Sequence, residues 1–264
     1  MQQNNHHRLI RGVRRNLHAR SVAVLSSLET RLDRMMRLWM VVALLACSAR
    51  AAAAPLGAMH TGPQSIISYL LVILAPVVST LLALRWFADT DLIPQPSSRL
   101  AFAGRWRRLS KEQAQAHPLY GTTGIMVSLL VGMLLNVPVR VAEYLAAIPP
   151  IPSASPEWLS TLQVAMTFDV VLFTCLYPIA FVAALKRVPL FPRMLVAIWI
   201  LDITMQLGIA RVVSGTHLPH AVGDALQTLL FGNVKKVLIS VCLWLPYLLL
   251  STRVNVTYRQ RVPA

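Results

Sequence analysis

Long apolar runs alternate with short basic interruptions along this chain, and those runs set the first expectations. They cover 65–84, about 119–138, about 159–185, a stretch ending at 213 and a last one ending near 250. Each is close to the ~20 residues that an α-helix needs to cross a bilayer. Backbone amides inside lipid must be paired within the protein, and the runs are too long for barrel strands, so each reads as a helix. A further run, 38–47, is short for a span. It follows Arg34 and Arg37 and precedes the alanine-rich stretch Ala49 to Ala54, the order of a signal peptide, so 38–57 reads as a signal peptide or as a first transmembrane helix. The pattern predicts an all-α polytopic transmembrane helical bundle of five or six spans.

The polar positions divide the chain. Residues 1–37 form a basic leader, 65–84 a helix with Pro76 inside it, 85–118 a basic loop, and 119–258 a four-helix membrane domain. Within that domain Gly124, Ser128 and Gly132 recur every four residues, a small-residue face that allows close helix approach. Arg140 and Glu143, three apart, fit one face of a short interfacial helix after Pro138. Pro149, Pro150 and Pro152 stiffen an external loop, and 214–233 reads as a less apolar external segment before the last span.

Composition agrees: the 264 residues are 56% hydrophobic and only 13% charged, where soluble domains carry about a quarter charged. The net charge of +15 would point to nucleic acid in a soluble protein. Its distribution argues against that reading. Twenty of the 25 basic residues fall in alternate inter-run segments; Arg50, Arg140, Arg211, Lys235 and Lys236 do not. By the positive-inside rule this puts the leader, the 85–118 loop and the C-terminus in the cytoplasm. The basic and aromatic stretch from Arg99 to Arg108 then suits anionic lipid. The expected partners are the bilayer and a membrane-protein partner or second copy, with no nucleic acid. Cys47, Cys175 and Cys242 stand singly in apolar runs, without disulfide or metal spacing, and no metal or other cofactor is expected.

Two stretches resemble a known family. Ala184-Leu-Lys186-Arg187-Val-Pro-Leu-Phe191-Pro192-Arg193 is a basic turn followed by an aromatic-proline helix start. The closing segment carries Trp244-x-Pro246-Tyr247, Ser251-x-Arg253-Val254 and Thr257-Tyr258. Together they resemble the bacterial inner-membrane family numbered 2569 among the domains of unknown function, whose pattern usually ends in phenylalanine. The resemblance spans roughly 120–258, implies a four-helix unit in the bacterial inner membrane and carries no reaction. Trp244 and Tyr247 suit the interfacial aromatic belt, and Arg253 the headgroup phosphates.

Candidate chemistry lies in two places. Arg211, six residues before His217, resembles the third motif of the membrane phosphatidate phosphatases, in which arginine holds a phosphate and histidine attacks it with an aspartate's help. The aspartate expected four residues on is Ala221, with Asp224 three further along, and the family's other two motifs have no convincing counterpart. His217, His220 and Asp224 also have the spacing of one helix face for a metal, but Pro219 interrupts it. Asp169 and Asp202 lie deep inside spans at matching depth, with Gln206 one turn from Asp202, and intramembrane carboxylates are costly. They read as a helix-pinning polar pair or as an ion pathway. The leading expectation is a non-enzymatic structural or partner-binding component of the inner membrane. A small ion or solute transporter and a degenerate lipid phosphatase are the alternatives.

Overall fold

The computed structural model describes residues 19–53, 62–89, 93–97, 104–152, 155–215 and 219–264. Among these, six helices are long and apolar enough to cross a bilayer, which makes this an all-α, multi-pass membrane protein. In chain order the elements are α1 (Leu32–Ala52), α2 (Pro63–Trp86), β1 (Trp106–Arg108), α3 (Lys111–Gln115), α4 (Ile125–Ala147), α5 (Glu157–Leu185), α6 (Phe191–Ser214), α7 (His220–Leu250), α8 (Thr252–Arg259) and β2 (Arg261–Pro263). The six spans are α1, α2 and α4 to α7, and the two short strands pair antiparallel.

Helix α1 is longer than its apolar run because the flanking residues, Leu32 to Arg37 and the alanines up to Ala52, are good helix formers. It lies on α2, where the Trp39 indole donates to the Ile73 carbonyl (3.1 Å), and Ala43 and Cys47 are buried. Helix α4 also exceeds expectation. It contains Pro138 and continues to Ala147, so the separate interfacial helix for Arg140 and Glu143 does not form. A proline removes one intrahelical bond, which membrane helices tolerate where their neighbours cover the gap. Most of the 214–233 segment is helical. From His220 on it is continuous with α7, whose 31 residues extend ~46 Å, beyond a ~30 Å hydrocarbon core.

Helix α5 is central and packs on α2, α4 and α6. Its Ala180, Ala183 and Ala184 are fully buried, small enough to let neighbouring helices approach. Two apolar cores form around it. The first includes Met133, Phe173, Tyr177, Trp199, Val237 and Tyr258. The second, toward the other end of the bundle, includes Val141, Met166, Val170, Ile209 and Leu230. On α4, α5, α6 and α7 alike, buried or half-buried polar residues fall between the two.

The C-terminal segment closes the first core. Val254 to Tyr258 are buried; the Tyr258 hydroxyl donates to the Ala184 carbonyl (2.9 Å), and its ring packs on Phe191 (5.0 Å). Thr257 Oγ1 accepts from the Gly121 amide (3.0 Å). Beyond α8, Gln260 turns through the left-handed region (φ 51°), and β2 pairs with β1 from the basic loop. Ser21 Oγ accepts from the Gly124 amide (3.0 Å), so the helical stretch 19–30 lies on the same face of the bundle as the C-terminal segment.

Candidate functional site

Four helices contribute to the polar layer between the two cores. Asp169 is twelve residues into α5 from Glu157, and Asp202 twelve residues before the end of α6 at Ser214, so each lies ~18 Å from its helix end. The matching depth read from the sequence brings the two carboxylates together, and the group between them is Arg140 from α4. One guanidinium nitrogen donates to Asp169 Oδ2 (2.9 Å) and another pairs with Asp202 Oδ2. The Arg140 Nε donates to Asn136 Oδ1 (3.2 Å), and the guanidinium carbon lies 4.2 Å from the centre of the Phe173 ring. Gln206 donates to Asp169 Oδ1 (2.9 Å) and accepts from Asn233 of α7 (3.2 Å). The Tyr177 hydroxyl reaches Asp202 Oδ2 at 3.5 Å.

Charge does not balance in this layer. One guanidinium faces two carboxylates, and Asp202, fully buried, keeps Oδ1 without a hydrogen-bond partner among the described residues. Removing ions from water costs several kcal/mol each, and only close pairing with full hydrogen bonding offsets it. Asp169 is satisfied on both oxygens; Asp202 is not.

Gln206 also lines a cleft of about 620 Å³ between α6 and α7. The cleft runs past Ser214, His220, Asp224 and Gln227 and is otherwise apolar, with Leu230 and Phe231 among its walls. One glutamine therefore touches both the buried carboxylates and the cleft. A second polar cluster, Tyr144–Thr167–Ser68 with contacts of 2.8 and 3.1 Å, ties α4, α5 and α2 without any charge.

The remaining sequence candidates are placed differently. His217 lies outside the described residues; Arg211 and Asp224 are exposed at the ends of α6 and α7, and no hydrogen bond or ion pair joins their side chains. His220 opens α7, so a helix face holding His217, His220 and Asp224 is not formed by the described residues. Among those residues no group of three or more His, Cys, Asp or Glu side chains has metal-binding geometry.

Among the described residues, two of the three positions of the small-residue face pack on nothing within the chain. Ser128 and Gly132 are exposed, and a side chain at Gly132 would meet nothing within 4 Å. Gly124 precedes α4 with φ 75° and ψ −139°, a conformation open to glycine, so its role is the turn into the helix. Arg253 is held by Thr123 Oγ1 (2.8 Å) and the Gly121 carbonyl (3.3 Å), a clasp on the loop before α4 made through one guanidinium nitrogen. Trp244 and Tyr247 are half-buried in the last turns of α7 and stack edge to face at 6.1 Å.

Arg140 is the site residue that the sequence reading missed, along with Asn136, Tyr177 and Asn233. Ending the span at Pro138 put Arg140 in the interface; continuing the apolar pattern to Leu145 would have marked it as an intramembrane charge opposite two carboxylates. Glu143 pairs with Lys236 of α7 and not with Arg140. No family model matches the chain, and neither the curated proteins nor the solved structures contain a significant match.

Proposed function

We propose that this protein is a proton-coupled carrier of a small solute, with Arg140, Asp169 and Asp202 as its proton-handling centre. The observation that carries the reading is the surplus carboxylate: two aspartates share one arginine, and Asp202 Oδ1 is buried without a partner among the described residues. An inert clamp between helices needs one carboxylate for one guanidinium. The second carboxylate adds cost inside a membrane and is expected where charge moves. A metal cation would need several oxygen ligands, whereas only one carboxylate oxygen is left over here and a guanidinium stands beside it. A proton needs one, and with it the layer is neutral. The cleft at Gln206 supplies a path from the α6–α7 end of the bundle to Asp169, and its mixed lining suits a small, partly polar solute.

In this reading the face carrying residues 19–30 and the C-terminal segment is cytoplasmic. The supporting observation is the gathering of Arg85, Arg105, Arg107, Arg108, Lys186, Arg187 and Arg193 in the segments on that side. The membrane is the bacterial inner membrane, as the likeness of 120–258 to the unknown-function family implies, and α1 is retained as a span packed on α2.

The test is proton flux into liposomes holding the purified full chain, followed by an entrapped pH dye under an imposed gradient. Wild type conducts, alone or with a solute supplied, and Asp202→Asn and Arg140→Gln abolish the flux, Asp202→Asn while remaining folded. Equal flux in wild type and both variants would overturn the assignment. The second reading, a structural or partner-binding component, has its own observation: Ser128 and Gly132 leave a narrow, small-residue strip of α4 exposed, a surface on which another helix fits. It predicts no flux, and loss of a co-purifying helix or second copy in Gly132→Leu.

A further inference from the structure

We infer that the face carrying the C-terminal segment holds a built binding site for a phosphate group, at a cavity of about 530 Å³ lined by Arg108, Arg193, Arg259 and Arg261. The site follows from how the C-terminal segment folds. Tyr258 is locked under the start of α6 by its bond to Ala184 and its contact with Phe191, which places the next residue, Arg259, near Arg193 in the first turn of that helix. The left-handed turn at Gln260 then sends β2 back along β1, with Arg261 directly opposite Arg108.

The guanidinium groups gathered at this cavity repel one another. Like charges directly opposite across strands destabilise the pair. The Arg259 guanidinium donates through Nη1 to Asn255 (3.2 Å), but its Nη2 is buried and has no hydrogen-bond partner among the described residues. Burial, with Arg193 and Arg261 close by, pushes the Arg259 pKa down to about 10, so the group remains charged at neutral pH but is destabilised. Arg193 itself stands in the first turn of α6, at the positive end of that helix's dipole. Among the described residues no acidic side chain lines the cavity, and Gln95 and Ser97 add neutral polar atoms to its wall. Several guanidinium forks around a space of this size match the geometry of a phosphate, which arginine binds through paired N–H donors.

The phosphate has two sources, a lipid headgroup or a soluble phosphate compound, and they are separable. Thermal unfolding of the full chain in a neutral detergent is measured with and without inorganic pyrophosphate. Binding of phosphatidylglycerol is measured by native mass spectrometry after release from nanodiscs of mixed phosphatidylglycerol and phosphatidylcholine. Stabilisation by pyrophosphate assigns a soluble ligand; selective retention of phosphatidylglycerol assigns a headgroup. In either case Arg259→Gln and Arg108→Gln each weaken binding about tenfold, the loss of one charge-assisted contact, whereas Arg211→Gln at the opposite end does not. Arg108 lies on an exposed strand, and its variant leaves the fold intact should Arg259→Gln unfold α8. Absence of both binding signals, or an equal loss in Arg211→Gln, overturns the proposal.

Discussion

Replacing Arg140 by glutamine removes the guanidinium at the centre of the polar layer and leaves Asp169 and Asp202 facing each other between two apolar cores. Breaking a buried ion pair by deleting one partner costs about 3–5 kcal/mol, because the remaining charge is uncompensated. Loss of the contact with Phe173 adds about 1–2 kcal/mol at a desolvated site. Asp169→Asn is the contrasting perturbation. It keeps an oxygen for Arg140 and brings the layer to one guanidinium against one carboxylate, so the variant should remain within about 1 kcal/mol of wild type. A double-mutant cycle between Arg140 and Asp202 should give a coupling of about 2–3 kcal/mol. Unfolding of detergent-solubilised protein, followed by tryptophan fluorescence, measures all of these. Wild-type stability in Arg140→Gln, or an equal loss in Asp169→Asn, would refute the charge argument.

Other positions give separate tests. Tyr258→Phe keeps the ring on Phe191 but deletes the bond to Ala184, for a loss of about 1 kcal/mol in the same unfolding assay. Gly124→Ala should cost about 1–3 kcal/mol through its backbone conformation alone. Gly132→Leu should change stability by less than about 0.5 kcal/mol, since its position is open; any effect would appear only in association, read by light scattering. Arg253→Met should free the loop before α4, seen as faster amide exchange at Gly121 to Gly124, without loss of the membrane spans.

The bundle was largely legible because apolar run length and bilayer thickness are a direct match. Asp169 and Asp202 were legible for the same reason: a carboxylate within an apolar run stands out. Arg140 was hidden by Pro138, which reads as a helix end in water and is tolerated inside a membrane helix. The C-terminal clasp was hidden for a different reason. Arg253, Thr257 and Tyr258 resemble an interfacial tail, and their partners Thr123, Gly121 and Ala184 are more than 70 positions away in the chain. The β1–β2 pairing is equally nonlocal, and three-residue strands carry almost no periodic signal.

The most direct measurement of the central claim is infrared difference spectroscopy of wild type and Asp202→Asn in lipid at neutral pH. The account predicts one protonated carboxyl band, shifted by exchange into heavy water and absent from the variant. A wild-type spectrum with both aspartates ionised, identical in that region to the variant's, would contradict it.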